Sequence, residues 1–482
     1  MSTAFALITL CMIYRSIQPP ARLRHIPHIG FFTYLGAVLK GKSLNYIARN
    51  VVLPTAMEAE SGIYTRFDQN GWSVHITGPK AAKTFLLKTG MKNTWNIVVL
   101  DGVEWKAQRQ VSNPAFKRSM PTELFGTLCQ KSLKQMADEM DDDGILDFHY
   151  MAERFTLDVI GLAGFGFDFH AIDDPQCEWV TRYSQIMTET MNPWFSIFHS
   201  FDQKYRFLFP SRIQIHREMD VMLHMMDEII MSKRQALKSQ QSKIPESERD
   251  LLTLMIEAES SGEGTMTNDE LRNNLCIFFL AGHDTTANAL AYAAYYLAAN
   301  PDVQHKAREE ALRVLGDAHQ DVFPTLNQTR ELPYINMIIK ETLRMNPPIN
   351  QPISRVNKAD TEIAGTFIPK GTRTTVDIYH MHHNPIVWND PEAFRPERFA
   401  AGGEAEAHAG SGLSWIPFSN GERQCIGMNF SLVEQRVFLS MLLRKYEWHL
   451  PEDSIHKDGI RTIGLVGLVK PKDLLLSFKK RY

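Results

Sequence analysis

The sequence predicts a mainly α-helical protein with a smaller β region contributed by its early part, and three stretches carry that prediction. The residues Thr267-Asn268-Asp269-Glu270 form a capping box, and the apolar run behind them continues to Ala299 before Asn300-Pro301 stops it, which predicts one long buried helix. From Gly102 to Lys238 most of the chain reads as helices joined by short connectors. From Ile63 to Thr77 apolar and polar residues alternate, and the pattern breaks at Asn70-Gly71, which predicts a β-hairpin.

The bulk composition is that of an ordinary globular protein. At 482 residues the chain has room for two or three domains or one large one. Its 44% hydrophobic and 22% charged residues supply a substantial core. A formal net charge of −3 gives no electrostatic footprint for nucleic acid. The five cysteines (Cys11, Cys129, Cys177, Cys276, Cys425) are odd in number, widely spaced and without a C-x-x-C pair. That excludes a disulfide framework and a structural zinc site and points to a reducing compartment. Cys129, Cys177 and Cys276 read as small buried hydrophobes.

In chain order, Ala4 to Tyr14 is apolar and is followed by Arg15, Arg22 and Arg24. The run is shorter than the roughly 20 residues of a comfortable membrane span, and it lacks the basic start of a secretory signal. It predicts a segment, residues 1–27, that lies on a membrane and leaves the following domain on the cytoplasmic side. Pro19, Pro20 and Pro27 predict a stiff hinge within it. After the hairpin, Gly78-Pro79 opens a helix running through Leu86, and another begins at Gly102. On that helix Trp105 and Arg109 stand four apart and share a face. The stretch from Met191 to Phe201 is unusually aromatic. The long helix turns abruptly polar at Phe278-Phe279-Leu280-Ala281-Gly282-His283-Asp284-Thr285-Thr286; Gly282 weakens it locally, and a threonine hydroxyl there can take over a backbone bond. An acid beside an alcohol on a buried helix suits a proton relay. Leu332-Pro333-Tyr334 opens a helix carrying Glu341 and Arg344, three apart on one face. The Ala-Gly-Glu stretch between Ala400 and Gly412 reads as low-complexity and flexible.

The chemistry concentrates in Phe418-Ser419-Asn420-Gly421-Glu422-Arg423-Gln424-Cys425-Ile426-Gly427. Cys425 stands in a glycine-closed turn just before an apolar-periodic helix, whose N-terminal dipole and free N–H groups favour a thiolate. Gly421 and Gly427 permit close approach of a flat ligand, Arg423 can meet a carboxylate, and Phe418 can shield the sulfur. Such a set suits haem ligation by cysteine. The loop resembles the haem-binding signature of the cytochrome P-450 superfamily, and the chain is closest in character to eukaryotic, fungal microsomal members. Three further segments resemble that family in the family's order: Trp105-x-x-x-Arg109, the Ala281-to-Thr286 string, and Glu341-x-x-Arg344 followed by Phe394-Arg395-Pro396-Glu397-Arg398-Phe399.

The resemblance implies one haem domain over residues 28–482, with haem b between the long helix and the helix after the Cys loop. Cys425 would be the proximal iron ligand; Trp105, Arg109, Arg423 and Arg355 would bind propionates. Thr285 would hold a water network at the haem, Asp284 would feed protons into it, and Glu341, Arg344 and Arg398 would form a buried triad. Substrate contacts would come from Ile97, Val98, Phe195, Phe198, Phe278, Phe279, Ala281, Ile349, Ile353 and Leu465. The implied activity is insertion of one oxygen atom from O₂ into a lipophilic small molecule such as a steroid, terpenoid, fatty acyl or xenobiotic compound. No stretch remains for a fused flavin domain, so NADPH electrons would arrive through the flavins of a separate cytochrome reductase, with cytochrome b5 a second donor. Lys117, Arg118 and Arg436 are candidate docking residues for that partner. The implied location is the endoplasmic reticulum membrane. Three competing readings are an electron-independent haem-thiolate isomerase or dehydratase, a non-catalytic haem ligand sensor, and a cysteine hydrolase pairing Cys425 with His380, His382 or His383.

Overall fold

The structure is a computed structural model, and it describes all residues except 1–13, 15–16, 69–70, 88–96, 99, 191–203, 240–244, 263, 408–411 and 465–466. Six helices concern the site: α1 (Gly102–Arg118), α2 (Phe148–Val159), α3 (Glu178–Thr190), α4 (Asn268–Ala299), α5 (Pro333–Met345) and α6 (Met428–Lys445). The chain divides into two compact units.

The first unit draws on Met1–Met91, Lys340–Cys425 and Arg461–Lys472. Its centre is a four-stranded sheet in the order Ile63–Asp68, Gly71–Ile76, Arg373–Val376, Arg355–Val356. The predicted hairpin is its first pair, in register from Ile63 opposite Ile76 to Asp68 opposite Gly71. The third strand joins parallel, with Val74 opposite Thr374. One face buries Ile63, Val74, Ile76 and Val376 against Phe85, Ile368, Met381 and Ile416. Leu23 and Ile26, each 1% exposed, belong to the same cluster, so the second half of the expected hinge packs onto the sheet.

The second unit draws on Lys92–Ile339, Ile426–Ile460 and Asp473–Tyr482 and is mainly helical, with a three-stranded sheet at its chain end. The capping box forms as predicted: the Thr267 hydroxyl accepts from the Glu270 N–H, and the Glu270 side chain reaches back to the Thr267 N–H. Helix α4 runs unbroken through Gly282. A Cβ there would stand 2.9 Å from Ile160 Cδ1, so this glycine also permits close packing.

Candidate haem-thiolate site

In the first unit the cysteine loop is shaped by local backbone constraints. Gly421 has φ +76°, and a Cβ on it would meet Leu86 O at 2.7 Å, so both conformation and space require glycine. Ser419 also has positive φ, at 59°. The Cys425 N–H donates to Phe418 O at 2.9 Å, closing the turn, and Phe418 stacks edge-on against Trp415 with centroids 6.3 Å apart. Cys425 is exposed, whereas Cys129 is buried and Cys177 and Cys276 are half-buried. Arg355, 6% exposed, donates to Phe85 O and Leu86 O at 3.3 and 3.4 Å. Burial, and then the positive charge of Arg423, push its guanidinium below the ordinary arginine range.

Behind the loop lies the predicted triad. Arg344 donates to both Glu341 oxygens at 2.7 and 2.9 Å, and Arg398 Nε donates to Oε1 at 3.2 Å. Glu341 and Arg344 are fully buried and Arg398 is 4% exposed. Two guanidiniums against one carboxylate would leave a surplus positive charge. Glu404 removes it by accepting from Arg398 Nη1. Burial alone would raise the Glu404 carboxyl, but the Asn389 N–H and Arg398 outweigh burial and hold it below the usual range. The Ala-Gly-Glu stretch is therefore not uniformly flexible: Glu404–Ala407 is a short helix, and its first residue completes the ion cluster. Composition hid this residue.

Also in the first unit, Ile349 bridges Leu468 antiparallel and the Gly467 N–H donates to Asn350 Oδ1 at 3.0 Å. Two of the segments expected to meet substrate are thus brought together. Ile353 is 51% exposed. Leu465, Phe195 and Phe198 lie outside the described residues.

In the second unit Trp105 and Arg109 share the face that their spacing predicts, with the guanidinium carbon 5.8 Å from the indole centroid. On α4 the Thr285 hydroxyl donates to Ala281 O at 2.7 Å, the back-bond expected of it. Ala281 is exposed and Thr285 half-exposed, on a helix that is otherwise buried from His283 to Ala298. Asp284 points elsewhere: it is 7% exposed and accepts a hydrogen bond from the Tyr183 hydroxyl of α3. Tyr183 carried no sequence signal beyond an aromatic on an amphipathic helix. Ile97 is buried and its N–H donates to Asn274 Oδ1 at 3.0 Å, while Val98 is 39% exposed. Gly427 has only an ordinary contact with Phe116, at 3.7 Å.

Two expectations need correcting. Phe278 and Phe279 are 5% and 1% exposed; Phe278 packs on Phe116, and Phe279 on Phe169, Trp179 and Tyr183. They fill the helix core rather than wall a pocket, because apolar residues are spread around α4 without a single stripe and its pattern does not say which face is which. Arg436 is not a free docking cation: it is half-buried, burial lowers its affinity for a proton, and Nη1 donates to Asn336 at 3.0 Å. Lys117 and Arg118 are exposed.

An exposed cysteine in a glycine-shaped turn, in the same unit as two guanidiniums that repel each other, fits a dianionic metal macrocycle with a thiolate ligand. That donor chemistry is what a haem-thiolate protein requires. The family model for Cytochrome P450 matches residues 74–476, and the chain belongs to this family. Among relatives, it is 28% identical over 450 residues to cytochrome P450 4Z1 of Homo sapiens, covering 89% of this chain and 85% of that one. It is 29% identical to cytochrome P450 3A9 of Rattus norvegicus (84% and 82% covered) and 30% identical to cytochrome P450 4A6 of Oryctolagus cuniculus (73% and 69%). The crystal structure of the cytochrome P450DA haem domain shares the fold, with a TM-score of 0.78 at 22% identity over 95% of this chain and 98% of that one. The protein is a P450 monooxygenase with haem as its cofactor.

Proposed function

We propose that this monooxygenase oxidises a lipophilic small molecule with electrons from NADPH, delivered by a separate flavoprotein reductase to which cytochrome b5 is a second source. The observation that carries the reading is on α4, where a buried carboxyl, Asp284, directly precedes a threonine whose hydroxyl sits on the helix's exposed strip with Ala281. A reaction that consumes protons needs such a pair; a peroxide rearrangement without external electrons does not. When bound, the haem supplies reductive activation of O₂, with the thiolate pushing electron density toward the iron. Cys425 would hold the iron, Arg355, Arg423, Trp105 and Arg109 would hold the propionates, and Glu341, Arg344 and Arg398 would brace the segments around them. Phe418 would keep water from the sulfur. Thr285 would keep a water in place by exchanging its bond to Ala281 O, and Asp284 would supply that water with protons. Ile97, Val98, Ala281, Ile349 and Ile353 would meet the substrate, whose apolar character matches theirs.

Residues 1–27, apolar and then basic, would place the enzyme on the cytoplasmic face of the endoplasmic reticulum membrane, leaving 28–482 as one catalytic domain. Among the described residues no helix is long and apolar enough to cross a membrane.

Turnover of a lipophilic substrate should require both NADPH and reductase. Turnover that needs neither would establish the isomerase or dehydratase instead. Thr285→Ala should retain haem and substrate binding yet release several-fold more hydrogen peroxide per NADPH consumed. Unchanged coupling in that variant would remove Thr285 from the proton path.

A further inference from the structure

Asp284 is held at one oxygen, and closely approached at the other, by groups that the reading above does not use. Tyr183 on α3 donates its hydroxyl to Oδ2, and Nδ1 of His283 stands 3.3 Å from Oδ1. All three side chains are buried, at 8%, 7% and 3% exposure for Tyr183, Asp284 and His283. The phenol ring is itself fixed. It stands edge-on to Phe279 and to His283, with centroids 5.1 and 5.0 Å away. The preceding residue, Arg182, pairs within α3 with Glu178 at 2.8 Å and ties the helix to its neighbour through Glu218. The remaining charged group near the phenol is Glu153 of α2. Burial, with the charge of Asp284, keeps the Tyr183 proton on its oxygen.

A phenol differs from the cations that usually hold buried carboxylates. Arg and Lys only donate, so they hold the carboxylate but cannot accept the O–H of the acid once it takes up a proton. A hydroxyl donates to the carboxylate and accepts from the acid. We propose that Tyr183 is the positioning residue of Asp284, holding its carboxyl group in one place through both protonation states so that proton delivery does not require the side chain to be found again at each turnover. The inference rests on the reading of Asp284 as the proton donor.

The test is Tyr183→Phe in the haem-loaded full chain, which deletes one oxygen and keeps both ring contacts. Two quantities are read: the carboxylate stretching band of Asp284 by infrared difference spectroscopy with isotope-labelled aspartate, assigned by its loss in Asp284→Asn, and the partition of NADPH electrons between product and hydrogen peroxide. We expect the band to shift, coupling to fall about three- to tenfold, and the solvent isotope effect on turnover to rise, with the substrate dissociation constant unchanged. In the Asp284→Asn background the same substitution should add nothing, as for two members of one unit. Trp179→Phe perturbs the same aromatic packing without touching the hydroxyl and should leave band and coupling as they are. If Asp284→Asn leaves coupling intact, the relay reading itself fails. If Asp284→Asn uncouples the enzyme but Tyr183→Phe changes neither band nor coupling, or if Trp179→Phe uncouples it equally, Tyr183 has no positioning role.

Discussion

The first unit contains two buried ionic clusters, and they are built on opposite plans. Around Glu341 the partners are charged and close, with two Arg344 contacts at 2.7 and 2.9 Å and one from Arg398 at 3.2 Å. Apart from the Arg398 bond to Glu404, further guanidinium N–H groups bind backbone: Arg344 donates to His382 O and Pro391 O at 2.8 and 2.9 Å, and Arg398 to Asn389 O and Asp390 O at 2.6 Å each. Around Asp377 the partners are mostly neutral. Tyr64 and Gln351 donate to it, His75 Nδ1 and His380 Nδ1 stand 3.3 Å away, and its one guanidinium, Arg66, is no closer than 3.7 Å. Burial alone would raise the Asp377 carboxyl, but Arg66, His75 and His380 hold it well below the carboxylate range. Both sites keep a charge in the interior. The first does so by pairing and fixes loop backbone in the process; the second does so by solvation with protein dipoles and joins side chains of the sheet. The first should therefore be the more costly to open.

The largest effect is expected at Glu341→Gln, which leaves two buried guanidiniums facing a neutral amide. Loss of one partner of such a pair costs about 3–5 kcal/mol. Denaturant unfolding together with haem content should show a protein that barely folds or holds no pigment. Asp377→Asn should cost less, about 2–3 kcal/mol, because the amide oxygen can still accept from one of the two donors, Tyr64 or Gln351. Equal losses at the two sites would dissolve the distinction between pairing and solvation.

A pH titration sharpens the comparison further, since each cluster has a buried neutral histidine. Burial, and then the charge of Arg344, push His382 down to about 3. Burial, and then Arg66, likewise lower His75. The unfolded chain takes up protons near pH 6.5 while these folded imidazoles do not, so their stabilisation is complete above about pH 6.5 and is lost as pH falls below it. From about pH 6.5 to 5 the loss for His382 is about 2 kcal/mol. His382→Gln should flatten the acid side of the stability curve by about that amount. An unchanged slope would mean that His382 is protonated in the folded state, against its acceptance of the Ile416 N–H at Nε2.

These clusters also show where sequence reading succeeds. Glu341 and Arg344 are three apart on one helix, and their order relative to Arg398 selects them from other pairs of the same spacing. Tyr64, His75, Gln351 and Asp377 have no common spacing, and no pattern announces them. Glu404 was hidden by the low complexity around it, although it balances the charge of Arg398.

By itself the sequence determined what rests on neighbours in the chain. The Thr267 cap, the Ile63-to-Ile76 hairpin, the positive φ of Gly421 in the cysteine turn, the Trp105–Arg109 face and the Thr285 back-bond are set by neighbours in the chain. Tertiary structure decided what rests on direction. A helix without one apolar stripe, as α4 is, gives no clear face to say that Phe279 meets α3 while Ala281 stays exposed. The partner of Asp284 lies 101 residues away. Only the packing of α3 against α4 brings the Tyr183 hydroxyl to that carboxylate, because a contact between distant segments depends on how their faces meet and not on the order of residues in either.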